Sequence, residues 1–207
     1  MCSSDLITLT RETAERLDSD LRQLATIPQL MAATLAQRPD WTAAQLEAWM
    51  REALQKDPRV FGTCVAFEPY QFDRQEEDYA LYVCRESEGV TAKRLVFPAY
   101  SPPYREWAWY SEPKRQRQAM WSEPFIDEGG GNVPMLTYSV PLERQGQFVG
   151  VVTVDLSLDY FHVLQGWLHE LRMGREGYAF VVSGTGTFIS HPHPSCQLPR
   201  KIADFNK

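Results

Sequence analysis

The sequence predicts an α+β fold built on one antiparallel sheet, and three observations predict it. The first thirty-odd residues carry apolar side chains at helical period. From Val60 onward the period changes to strand-like runs that come in pairs. Between the pairs lie turn signals and short helical stretches, not the regular strand–helix–strand alternation of a parallel sheet.

The elements follow in order. From about Ser4 to Leu35, Leu6, Leu9, Leu17, Leu21, Leu24, Ile27, Leu30, Met31 and Leu35 recur mostly at steps of three and four, separated by charged residues. A helix of about 30 residues is about 45 Å long. That exceeds one domain's core, so its start is expected to project as a stalk or dimer seam, with Pro28 as a kink point. Arg38–Pro39–Asp40 ends the pattern, and a second helix begins at Thr42, with Gln45 as capping-box partner. Leu46, Trp49, Met50 and Leu54 are its buried stripe, and Asp57–Pro58 stops it. Val60–Phe67 and Tyr79–Arg85 read as paired strands, and Thr91–Phe97 as a third. Pro98–Tyr110 is a packed loop because Pro102 and Pro103 lack donors, and Tyr110–Met120 is a short polar helix. Asp127–Asn132 (DEGGGN) is a tight turn. Val133–Leu142 and Phe148–Leu156 form a second hairpin, Leu158–Met173 another amphipathic helix closed by Gly174. Tyr178–Val182 and Thr187–Ser190 open a further hairpin. The expected organisation is two helices over 1–57, a PAS-like module with a five-stranded sheet and flanking helices over 58–173, and the beginning of a smaller PAS-like module, cut short, over 174–207.

Composition narrows the function. The chain has 207 residues, 43% hydrophobic and 23% charged, with net charge -6. That excludes extensive disorder and gives no basic footprint for nucleic acid. No run approaches the ~20 apolar residues of a membrane span. Both ends read as cut from something longer. Of four cysteines, Cys64 and Cys84 lie on strands expected to be neighbours, so a disulfide is geometrically feasible and two buried free thiols are the alternative. His162 and His169, seven apart on one helix, are too distant to share a metal. His191-Pro-His193-Pro resembles a metal-binding tail, but no carboxylate or cysteine has supporting spacing apart from Cys196. No nucleophile–base pair, P-loop or dinucleotide fingerprint is present, so neither an enzyme nor a cofactor is expected.

What stands out is Tyr100–Asp155. Arg105 sits among Tyr100, Tyr104, Trp107, Trp109 and Tyr110. A guanidinium among aromatic rings is held by stacking and presents its fork to a carboxylate. Asp155 ends VVTVD, an apolar run that reads as a central strand, where an acid is costly unless it is paired. Asp127 and Tyr138 are further cavity candidates, with turn capping and core packing as alternatives. Trp121 and Phe125 belong to a wall or to core. Aromatic faces, a cation and an anion gathered at sheet ends hold a small charged molecule, with no obvious chemistry to change it.

The WY pair before a polar helix, WSEPFID, the glycine turn, TYSVPL, FVGVVTVDLSL and GYAFVVSGTGTFISHP together resemble a double Cache sensor domain over nearly the whole chain. The resemblance implies an extracytoplasmic module of a membrane-anchored bacterial receptor, with a membrane-distal ligand pocket and a smaller membrane-proximal module. Its output partner would be a kinase, chemoreceptor, cyclic-dinucleotide enzyme or phosphatase. The family's amino-acid pocket uses a tyrosine, an arginine, a WY pair, an aromatic with an aspartate, and a strand-end aspartate. Tyr100, Trp109, Tyr110 and Asp155 fit it. Trp107 stands where the pattern has arginine, with Arg105 displaced by two, and Phe125 stands where tyrosine is common. These departures widen the expected ligand to a small organic acid, amine or amino acid, signalled through the N-terminal helix. The rival expectation is a dimerisation or protein-contact module, paired through that helix and binding no small molecule; a closed, side-chain-filled pocket would favour it.

Overall fold

The computed structural model describes residues 3–161, 178–193, 195, 196 and 198–205. Helix α1 (Ser3–Gln37) is unbroken through Pro28, which is buried. Its described side chains become buried only from Leu24 onward, through Ala25, Met31, Ala32 and Leu35. Helix α2 (Ala43–Lys56) starts on Thr42, whose hydroxyl accepts from the Gln45 amide while the Gln45 side chain accepts from the Thr42 amide. This closed capping box contributes about 1 kcal/mol. Leu46, Met50 and Leu54 are fully buried, whereas Trp49 is half-buried and stacks on Trp41 at 4.8 Å. The Arg85 guanidinium donates to the carbonyls of Leu54, Asp57 and, through Nε, Val60, so a cation closes the C-terminal end of α2.

The sheet contains β1 (Gly62–Phe67), β2 (Ala80–Glu86), β3 (Gly89–Arg94), β4 (Met120–Trp121), β5 (Phe125–Ile126), β6 (Pro134–Arg144) and β7 (Gln147–Ser157). Their order is β3-β2-β1-β7-β6-β4, with β5 also on β6. Five long antiparallel strands match the expectation. The two additional ones are dipeptides lying end to end along β6, separated by a stretch containing Pro124, which has no N–H to give a ladder. The β6–β7 connection is tighter than expected. Gln145 and Gly146 both take positive φ, 52° and 77°, as a two-residue primed turn requires.

The run from Pro98 to Tyr110 is partly ordered. A 3-10 turn covers Tyr104–Glu106, and α3 (Ala108–Gln116) begins before Trp109–Tyr110, not after them. Beyond the sheet, β8 (Val181–Val182) and β9 (Phe188–Ser190) form a separate two-stranded pair. The expected helix Leu158–Met173 lies outside the described residues except for its first turn, and so do His162, His169 and Gly174.

Both faces of the sheet are covered, so its central strands are buried on both sides. One face meets α1 and α2 through Val65, Phe67, Leu81, Val83, Leu136, Val152, Val154 and Leu156. The other meets the Tyr100–Tyr110 segment through Cys64, Ala66, Ala80, Tyr82, Cys84 and Val151. Cys64 and Cys84 are buried free thiols; Cys64 faces Tyr82 in the ladder and Cys84 faces Gly62.

Candidate functional site

Strand alternation on the second face builds a polar stripe. Thr137 and Ser139 on β6 and Thr153 and Asp155 on β7 are all buried. They are odd-numbered, so they share the face away from α1. Thr137 lies opposite Asp155 in the ladder, and its hydroxyl donates to Asp155 Oδ1 at 2.8 Å. Thr153 Oγ1 accepts from the Cys64 amide at 3.0 Å.

Asp155 opens into a small chamber lined by Cys64, Tyr82, Leu95, Trp109, Phe125, Asp127, Met135, Thr137 and Thr153. Its volume is about 10 Å³, room for about one water. Asp127 is the second acid. Its Oδ1 accepts from the Tyr100 hydroxyl at 2.6 Å and its Oδ2 from the Gly131 amide at 2.8 Å. Trp109 Nε1–H donates to the same Tyr100 oxygen at 3.2 Å. The 127–132 turn is therefore folded around its own aspartate. A Cβ on Gly130 would meet Asp127 Oδ2 at 2.0 Å, which is why a glycine stands there. The Tyr82 hydroxyl is buried and makes no regular hydrogen bond, although it faces the field of both acids.

The electrostatics are those of two buried acids held toward their protonated forms. Burial raises the Asp155 carboxyl to about 7, Asp127 adds to the rise, and the Thr137 bond opposes it. Burial also raises Asp127, against the Tyr100 and Gly131 bonds and the more distant Lys93. The Tyr82, Tyr100 and Cys64 groups all move up, burial first and the nearby acids second. Among the described residues no lysine or arginine lines the chamber. The two acids offer hydrogen-bond acceptors to whatever enters, in a space that holds about one water.

Residues 46–162 match the model of the methyl-accepting chemotaxis protein-like family, first PDC sensor domain. The chain belongs to this family. It is 25% identical to the methyl-accepting chemotaxis protein TlpQ of Pseudomonas aeruginosa, over 74% of this chain and 25% of that one. In fold it is similar to the extracellular domain of mmHK1S-Z2, described as a histidine kinase, at a TM-score of 0.84, with 23% identity, covering 98% of this chain and 78% of that one. It is likewise similar to the ligand-binding domain of the P. aeruginosa PAO1 amino acid chemoreceptor PctC in complex with GABA, at 0.69 and 23%, covering 98% and 80%. The chain spans between 13% and 25% of the length of the chemotaxis proteins it matches. Among the described residues no helix is long and apolar enough to cross a membrane.

Within this PDC domain, Tyr100, Trp109, Phe125, Asp127 and Asp155 come together. Trp107 and Tyr110 are neighbours that do not line the chamber. Trp107 stacks on Tyr100 at 5.3 Å from outside, and the Tyr110 hydroxyl turns away to donate to Glu68 at 2.7 Å. Arg105 and Tyr138 join Trp107 and Tyr110 as expectations to be corrected. Arg105 is not in the chamber: in the 3-10 turn Tyr104 points inward, so the next residue points aside, and Arg105 pairs with Asp78 at 2.7 Å without hydrogen-bond alignment. Tyr138 follows Thr137 and so faces the opposite side, where it packs on Trp121 at 5.1 Å and its hydroxyl accepts from Gln29. The residues not foreseen are Cys64, Tyr82, Leu95, Met135, Thr137 and Thr153. For the two threonines a signal existed: polar residues at every second position of apolar strands mark one face.

Proposed function

We propose that this PDC domain is the extracytoplasmic ligand-binding part of a membrane-anchored receptor, and that its ligand presents a cationic amine, alone or within an amino acid, to Asp155. One observation carries the reading: a fully buried carboxylate beside a second acid, with no cation lining their chamber among the described residues. A protonated amine would supply the missing charge, and Trp109 and Phe125 would cover its apolar part. With no arginine lining the chamber among the described residues, nothing there favours an organic acid. The same-fold neighbour PctC was solved with GABA, which carries an amine. Ligand pockets usually reach about 300 Å³ or more, so entry requires Phe125 and the 127–132 turn to move outward. Occupancy then acts on α1.

Isothermal titration of matched primary amines, alcohols and carboxylates tests this. Amines are expected to bind. Asp155→Asn is expected to weaken them by roughly 10- to 100-fold, the equivalent of one charge-assisted hydrogen bond. Binding of carboxylates alone, or equal affinity in the variant, refutes it.

The near-filled chamber favours a second reading, a module that pairs through α1 or contacts another protein and takes no small ligand. Concentration-dependent sedimentation without any amine binding would select it.

A further inference from the structure

We propose that Asp20 is the coupling residue through which the chamber moves α1. This rests on the ligand reading for what drives the chamber, whereas the linkage itself is a matter of geometry. Asp20 uses each carboxylate oxygen for a different part of the molecule. Oδ1 pairs with Arg59 Nη1 at 2.7 Å, and Oδ2 accepts from the Tyr160 hydroxyl at 2.6 Å. Arg59 precedes β1 and Tyr160 follows β7. These strands are neighbours, and they meet at the chamber acid. Gly62 lies opposite Asp155, and the Phe61 amide donates to the Asp155 carbonyl at 2.9 Å. Arg59 is two residues from that bond and Tyr160 five residues from Asp155. Two short paths, one along the chain to Tyr160 and one across the Phe61–Asp155 hydrogen bond to Arg59, therefore leave the backbone of one chamber residue and converge on one helix carboxylate.

The position of Asp20 gives the linkage leverage. It lies between Leu17 and Leu21, which are only half-buried on the core, and before Leu24, where α1 becomes buried. The helix extends about 25 Å beyond it toward Ser3, at 1.5 Å per residue. A displacement at Asp20 thus tilts the segment that the core does not hold. Arg59 is anchored independently of Asp20: Nε donates to Asp57 Oδ1 at 3.0 Å and Nη2 to Asp57 Oδ2 at 2.7 Å. Removing the Asp20 carboxylate therefore cuts the link to α1 and leaves the arginine placed.

Hydrogen–deuterium exchange on the 207-residue chain tests the proposal without needing a ligand. At pH 8, above the raised value of the Asp155 carboxyl, Asp155→Asn removes the charge of the chamber acid, and exchange is read at the α1 amides around Asp20. The expected result is a change of about threefold or more in those rates with Asp155→Asn. That change is expected to vanish when Asp155→Asn is compared with its parent in an Asp20→Ala background. Asp20→Ala puts the strongest helix former on a half-buried turn, and circular dichroism melts verify the fold of each variant. An undiminished response in the Asp20→Ala background overturns the proposal, and so does no response in the unaltered one. If amines fail to bind while the Asp155 response still passes through Asp20, the ligand reading fails and the linkage stands.

Discussion

Asp155 sets a pH dependence whose sign follows from its surroundings. Its carboxyl moves from 3.8 in the unfolded chain to about 7 in the folded one, chiefly through burial and then through Asp127. Between those values the folded chain holds a proton that the unfolded chain has released. Stability contributed by this group is thus fully present below 3.8 and is lost as pH rises toward 7, by about 4 kcal/mol in all at 1.36 kcal/mol per pKa unit. Asp155→Asn should flatten that slope. Melting temperatures between pH 5 and 8 should therefore show the variant gaining on the unaltered chain as pH rises, and parallel curves would count against a carboxyl raised by burial. Asp155 was legible because an acid ending an apolar strand has few explanations. Arg105 was misleading because sequence proximity to five aromatics does not say which way a 3-10 turn points, and Asp78, 27 positions upstream, gives it another partner.

At the scale of elements, the long periodic stretches were readable and the short ones were not. Thr42 with Gln45 locates the start of α2, and the alternation in β6 and β7 locates their hairpin, because each depends on local chemistry. β4 and β5 exist only because β6, paired with β7 on one edge, offers the free ladder positions of its other edge to whatever lies beside it; a two-residue run has no period to detect. The 127–132 turn is a middle case. Its glycines predict a turn, but not that the turn would wrap around the Asp127 carboxylate. Gly130→Ala should displace that carboxylate and strain the bonds to Tyr100 and Gly131, a loss of about 1–3 kcal/mol for buried polar groups deprived of partners. Thermal unfolding measures the loss, and an unchanged melting temperature would mean that the turn relaxes without disturbing the chamber.

For the whole molecule, α1 divides into two parts with different energetics. From Leu24 to Leu35 it buries leucines and a methionine against β6 and β7, and truncating one such side chain typically costs 2–5 kcal/mol. Before Leu24 no described side chain is buried, and Ile7 is 58% exposed. Helical period alone could not separate these parts, since Leu9 and Leu17 obey it as well as Leu24 does; only the sheet's extent decides where burial begins. Deleting residues 1–15 should therefore lower the melting temperature of the dilute chain by no more than about 2 °C, the effect of a surface change near 0.5 kcal/mol at this size. Leu35→Ala should lower it several times further. If the deleted segment is also a seam between two copies, sedimentation at high concentration will show the full chain associating and the shortened one not. A large fall in melting temperature at high dilution would instead mean that the first turns of α1 are held by the fold itself, and the helix would then have no free arm for Asp20 to move.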